Sequence, residues 1–139
     1  MGESGRFVLD TNVVISSILF PGSVVHRAML HAQTGRILAS DATILELIQT
    51  LNHSRFDRYI DTGIRQALAA EYVSACDLIP IPFPIRACRD PRDDKFLEVA
   101  LHGQANVIIT GDQDLLVLHP LQEIAILTPA QFLEQRPAI

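Results

Sequence analysis

The sequence predicts an α/β domain built on a mainly parallel sheet. Short apolar runs that read as buried strands alternate with helical segments along the chain. Capping and stop residues stand where those helices should begin and end. A hydrophobic content of 48% is enough for a substantial core without metal or disulfide staples.

Arg6 to Leu9 reads as a short buried strand that ends at Asp10. Helical character follows from Asn12 to Leu19, and Pro21-Gly22 stops it. Ser23 caps a helix that runs to about Thr34, with Gly35 in the usual place after its end. Ile37 to Ala39 is a second strand. Ser40 or Asp41 caps the next helix, where Ile44, Leu47, Ile48 and Leu51 form an apolar stripe at helical spacing.

Arg55 to Ile60 reads as a short helix, Thr62 to Cys76 as a longer one, and Leu78 to Ile81 as strand-like. Pro80, Pro82, Pro84 and Pro91 mark a connecting loop through to Arg92, after which Asp93 caps a helix to about His102. Gly103 to Asn106 form a turn, and Val107 to Thr110 is the clearest buried strand. Gly111-Asp112-Gln113-Asp114 then leads into a short helix near Leu115 to Leu118. Ile124 to Leu127 is the last strand, and Thr128-Pro129 opens a final helix with cap and first-turn proline in place. No repeat, linker or low-complexity tract interrupts the pattern, so residues 1–139 read as one domain.

Composition narrows the classes of function. No apolar run approaches the roughly 20 residues that cross a bilayer, and Met1-Gly2-Glu3-Ser4-Gly5 lacks a leader pattern. No membrane association is expected, and the cytoplasm is the default location. Cys76 and Cys88 form no C-x-x-C pair and no zinc cluster, and read as two buried or idle thiols in preference to a disulfide between them. A net charge of −5 argues against a nucleic-acid partner for the surface as a whole, although a local field can oppose it. Ten of the eleven basic residues are arginine, suited to bidentate phosphate contact. Arg86, Arg89, Arg92 and Lys95 fall close together, either as a solvated loop balanced by its own aspartates or as a guide for a phosphate backbone.

In open α/β sheets, ligands bind beyond the carboxyl ends of the strands. The first strand ends at Asp10, and the Val107–Thr110 strand at Asp112, with Asp114 close behind. Parallel strands bring those ends to one edge. The helix begun by Asp93 and Asp94 leads into the second of them, so it starts at that same edge. Carboxylates crowded there raise one another's pKa, a conflict that a divalent cation removes. Oxygen-only ligands favour Mg²⁺ or Mn²⁺.

Each acid also has a plainer role open to it. Asp10 reads equally as a helix cap, Asp93 better as a cap than as a ligand, Asp112 as a turn residue, and Asp114 as a first-turn acid facing a helix dipole. Glu46 lies opposite its helix's apolar stripe on a helical wheel, where a solvent-facing glutamate is expected.

Three segments together resemble the PIN-domain family: Val8-Leu9-Asp10-Thr11-Asn12-Val13, Asp90 through Glu98, and Ile109-Thr110-Gly111-Asp112-Gln113-Asp114-Leu115. Thr128-Pro129 resembles the closing helix of a subgroup of toxin components, VapC-like ribonucleases of toxin–antitoxin pairs. The resemblance implies a three-layer α/β/α sandwich and a metal-dependent endoribonuclease. It matches Asp10, Glu46, Asp94 and Asp112 to the acids that carry the chemistry and hold Mg²⁺ or Mn²⁺, with Asp114 a further, more variable ligand. Glu46 is thereby moved from surface to site. Thr11, Asn12 and Thr110 match polar positions that support the pocket. The resemblance also implies an RNA substrate, a cognate antitoxin partner and a homodimer. The proline-rich segment before Asp90 departs from the shorter toxins of the family, which touches the toxin assignment more than the nuclease one.

Under this reading a metal-activated water hydrolyses the phosphodiester, and Arg86, Arg89, Arg92 and Lys95 guide the RNA backbone. A haloacid-dehalogenase-like phosphatase is the enzymatic rival, but that chemistry pairs a nucleophilic Asp with a second Asp two residues on, and position 12 is Asn. A noncatalytic PIN-like scaffold or RNA-binding module is the rival from another class.

Overall fold

The computed structural model describes residues 5–135. Residues 1–4, in which the leader pattern was sought, and residues 136–139 lie outside that range. Five parallel strands, β1 (Arg6–Leu9), β2 (Arg36–Ala39), β3 (Asp77–Leu78), β4 (Val107–Ile109) and β5 (Ala125–Leu127), form a sheet in the order β3-β2-β1-β4-β5. The helices are α1 (Thr11–Leu19), α2 (Val24–Ala32), α3 (Asp41–Leu51), α4 (Thr62–Ala75), α5 (Asp94–His102), α6 (Gln113–Leu116) and α7 (Pro129–Gln135).

Side chains alternate across the pleat, and the two faces collect different helices. Phe7, Leu9, Ile37, Ile109 and Leu127 face a core completed by Val13, Val14 and Ile15 of α1, Met29 of α2, Leu47 of α3, Ala69 of α4 and Phe132 of α7. Val8, Leu38, Ile108 and Ile126 face Phe96, Leu97 and Val99 of α5 and Leu115 of α6. The fold is therefore the expected three-layer α/β/α sandwich. Strands buried on both faces explain why they read as unbroken apolar runs.

The sheet order reverses direction at β1. The chain passes from β1 outward to β2 and β3, then returns to add β4 and β5 on the other side. The switch point thus lies between the carboxyl ends of β1 and β4, where a crevice opens in folds of this kind. The Asp10 N–H donates to the Ile109 carbonyl at 3.2 Å, so the first acid is stitched to the end of β4.

Several boundaries differ from the sequence reading. The third strand occupies Asp77–Leu78 rather than Leu78–Ile81, with one further ladder bond from Ile79 N–H to the Ala39 carbonyl at 2.8 Å. Pro80 and Pro82 have no N–H to extend it. Arg55–Ile60 shrinks to one 3-10 turn at Ser54–Phe56. The short helix after β4 begins at Gln113 because Asp112 caps it, accepting the Asp114 N–H at 2.9 Å. Cys76 and Cys88 are free thiols, as expected.

Arg65 is 1% exposed and binds α3 to α4. Its guanidinium donates to the Leu51 carbonyl at 3.1 Å, the Ile60 carbonyl at 2.7 Å, Asp57 Oδ1 at 3.0 Å and Thr62 Oγ1 at 3.3 Å. Among the described residues no single helix is long and apolar enough to cross a membrane.

Candidate metal centre

Of the two readings of Asp10, the structure shows the helix cap. The residue leaves β1 in extended conformation, and its Oδ1 accepts the Val13 N–H at 2.8 Å to cap α1. Its Oδ2 is left to accept the hydroxyl of Thr110 at the end of β4. Thr110 Oγ1 also accepts the Asp112 N–H at 2.9 Å, so one hydroxyl ties the two strand-end aspartates together. Burial pushes the Asp10 pKa upward. The Thr110 and Val13 donors oppose that rise, and the negative charges of Asp112 and Glu46 add to it.

Glu46 reaches the same edge from α3. A reciprocal capping box between Ser40 and Thr43 starts that helix. Glu46 is half-buried rather than solvent-facing: it accepts the Thr11 hydroxyl and takes an ion pair from Lys95 Nζ at 2.7 Å. The helical wheel misplaced it because the groups that hold it, Thr11 of α1 and Lys95 of α5, belong to other elements and leave no mark on the wheel of α3.

The densest carboxylate group is Asp93, Asp112 and Asp114, which each place one oxygen within 4.8 Å of the others. Asp93 stands at the N-cap position of α5, as the sequence predicts, but its side chain does not act as a cap. A 3-10 turn at Pro91–Asp93 precedes α5 and leaves Asp93 with φ −88° and ψ −12°, not the extended backbone of a cap. Its side chain caps nothing, and Oδ2 is buried with no hydrogen-bond partner. Burial, contact with the Asp112 carboxyl and the charges of Asp112, Asp90 and Asp114 push its pKa up to about 7.

The Asp94 carboxylate, which the family resemblance matched to the site, is turned the other way. Its Oδ1 accepts the N–H groups of Ala87 at 3.0 Å and Cys88 at 2.8 Å. Burial raises its pKa, but those donors, with the Cys88 thiol and Arg86 behind them, bring it below the usual carboxylate range. Two adjacent aspartates at a helix start cannot be told apart by spacing. The signal that separates them is Pro91, which starts a 3-10 turn and rotates Asp93 toward the sheet edge.

Of the polar supports, Thr11 and Thr110 are buried and bonded to Glu46 and Asp10, whereas Asn12 is exposed on the first turn of α1 and bonds neither. The basic residues divide. Lys95 sits inside the site, its Nζ shared between Glu46 and the Arg92 carbonyl at 2.5 Å. Arg89 is 88% exposed, and its Nε stands 3.8 Å from Asp114 Oδ1. Arg92 is engaged with Asp90 at 2.8 Å, and Arg86 is exposed near Asp94.

This donor set fits a hard divalent cation. Its convergent atoms are all carboxylate oxygens, Asp93 also carries a buried oxygen without a partner, and a cation would relieve the burial and repulsion that raise the pKa of Asp93.

Comparison with known proteins bears on the same edge. A family model described as PIN domain matches residues 6–114, from the start of β1 through the last of these acids. An uncharacterized protein of Methanocaldococcus jannaschii is 26% identical over 141 residues, spanning 94% of this chain and 90% of that protein. Among solved structures, VapBC2 from Rickettsia felis, bound to a DNA fragment from their promoter, superimposes with a TM-score of 0.55 at 13% identity. The match covers 88% of this chain and 96% of that one.

Proposed function

Because the chain belongs to the PIN-domain family, we propose that its acidic sheet edge binds Mg²⁺ or Mn²⁺ and hydrolyses RNA phosphodiesters. One observation carries this reading. Asp93 Oδ2 is buried without a partner, at the switch point of a parallel sheet, beside the carboxylates of Asp112 and Asp114.

Asp93, Asp112 and Asp114 would hold the ion, with Asp10 and Glu46 completing the set directly or through water. When bound, such an ion lowers the pKa of water and neutralises charge on a phosphate. Thr110 fixes the Asp10 carboxylate against the Asp112 backbone, and Thr11 orients Glu46. Lys95 and Arg89 border the acids and supply positive charge for a phosphate backbone, with Arg86 and Arg92 further out. Asp94 stands outside this set.

The finer assignment is the toxin component of a toxin–antitoxin pair, acting in the cytoplasm as a homodimer. Its support is the fold shared with a VapBC complex. It expects a small neighbouring reading frame whose product co-purifies with this chain.

Labelled RNA incubated with Mg²⁺ or Mn²⁺, with and without chelator, tests the nuclease. Cleavage that needs the metal and disappears in Asp93→Asn and Asp112→Asn supports it. Cleavage at full rate in chelator overturns the metal site. Release of phosphate from small monoesters with RNA left intact favours the phosphatase. RNA binding without cleavage, unchanged in Asp112→Asn, favours the scaffold.

A further inference from the structure

We infer that the outer face of α5 is a three-rung rail that sets the register of the proline-rich segment 79–91, and that Asp94 serves the site as a positioning residue through that rail rather than as a metal ligand. The inference rests on the nuclease reading for its catalytic consequence, and on hydrogen bonds alone for the rail itself.

The rungs are His102, Glu98 and Asp94, spaced four residues apart on one face of the helix. His102 Nε2 lies 3.1 Å from the Phe83 carbonyl, and the two rings meet edge to face at 4.6 Å. Glu98 Oε2 accepts the Ile85 N–H at 3.0 Å. Asp94 Oδ1 accepts both Ala87 and Cys88 N–H groups. Segment numbers rise as helix numbers fall, so the segment runs antiparallel to α5.

The repeat lengths make this arrangement possible. Four helical residues advance about 6 Å, and two residues of extended or polyproline chain advance about 6.2–6.6 Å. Every second residue of the segment therefore meets the next turn of the helix. Pro80, Pro82 and Pro84 hold the alternate positions, where no N–H is lost to the rail, and they stiffen the chain. A slip of one residue toward Pro84 would put a proline nitrogen opposite Glu98 and leave that carboxylate without its donor.

Register has a consequence at the acids. Arg86 stands between the last two rungs; beyond them the segment carries Arg89, 3.8 Å from Asp114, and then turns through Pro91–Asp93 into the metal-ligand candidate Asp93. Asp94 is 8% exposed, and its Oδ1 is already bonded to two backbone N–H groups, which ligation through that oxygen would have to displace. The rail thus fixes where the arginines stand relative to the acids that a substrate phosphate would approach.

The experiment compares Asp94→Asn, Asp94→Ala and Glu98→Ala with wild type by three readouts: amide hydrogen exchange at residues 85–88, Mn²⁺ affinity by calorimetry, and steady-state RNA cleavage. Asn keeps an acceptor oxygen, so Asp94→Asn should hold the rail, keep Mn²⁺ affinity within about threefold and cleave nearly normally. Asp94→Ala should raise exchange at Ala87 and Cys88 by about tenfold, keep Mn²⁺ affinity, and raise KM with kcat little changed. Glu98→Ala, one turn from the acids, should raise exchange at Ile85 and shift KM the same way. A loss of Mn²⁺ affinity of about tenfold or more in Asp94→Asn, comparable to that in Asp112→Asn, would overturn the inference, because only a ligand needs the charge. Unchanged exchange in both alanine variants would overturn the rail. Failure of the wild type to bind Mn²⁺ would instead overturn the nuclease reading and the catalytic role drawn from it, while the exchange arm still decides the rail.

Discussion

The Thr110 hydroxyl donates to the Asp10 carboxylate across the gap between two neighbouring strand ends. Thr110 is fully buried, so this bond is made out of water, where a charged acceptor is costly without its donor. Replacing Thr110 with valine keeps the shape and removes both the donor to Asp10 and the acceptor of the Asp112 N–H. Stability should fall by about 1.5–3 kcal/mol, and Thr110→Ser should recover most of it. Urea unfolding in the presence of chelator measures this directly. A valine variant as stable as wild type would mean that the bond contributes nothing.

Asp93 should give the metal-free protein a stability that falls with rising pH. Its folded pKa, near 7, lies above the ordinary carboxylate value of about 3.9. A carboxyl raised in this way favours the folded state fully below the unfolded value, and the advantage is lost as pH rises through the folded one. Stability in chelator should therefore decline between about pH 4 and 7 and level off above, and Asp93→Asn should flatten that slope. Added Mn²⁺ should reverse the decline at pH 8 in wild type, by about 2.7 kcal/mol at a hundredfold excess over its Kd. A slope unchanged in Asp93→Asn would assign the proton elsewhere.

Lys95 should act in opposite directions on metal and RNA. Its ammonium is held 2.7 Å from Glu46, inside the acid group, and so competes with a bound cation for the same carboxylate. Lys95→Met should tighten Mn²⁺ binding by about three- to tenfold, in line with a partly screened ion pair. The same variant should weaken RNA binding and reduce the salt dependence of that binding, since one phosphate partner is gone. Calorimetry for the metal and filter binding across salt concentrations separate the two effects. Weaker Mn²⁺ binding would show that Lys95 holds Glu46 in place rather than competing for it.

How much of this was legible in the sequence follows from the range of each interaction. Strand runs such as Val107 to Thr110 and caps such as Ser23 are local, and they were readable with boundaries off by a residue or two. Asp10 and Asp112 were legible because strand ends in a parallel sheet share an edge. Asp93 and Asp94 were not separable: neighbours on a helix point about 100° apart, and the 3-10 turn that decides between them leaves only Pro91 as a mark. Glu46 was hidden because its partners, Thr11 and Lys95, come from distant parts of the chain. The proline segment read only as a loop, since its order comes from backbone groups meeting carboxylates on a later helix.

Arg65 offers the strongest test of the fold apart from the acids. It is buried, and four acceptors from α3, the following loop and α4 converge on its guanidinium. Truncation to methionine fills similar space but strands the carbonyls of Leu51 and Ile60 without donors and leaves Asp57 without its cation. Each buried carbonyl left without its donor typically costs about 1–3 kcal/mol, and two of them make a large share of a small domain's stability. Arg65→Met should accordingly unfold at much lower urea, and Arg65→Lys should rescue only part of the loss, because one ammonium cannot reach acceptors arranged around a planar fork. Asp57 is exposed, so Asp57→Asn should cost well under 1 kcal/mol. If Asp57→Asn proves as damaging as Arg65→Met, the arginine is held by its ion pair and not by the backbone carbonyls.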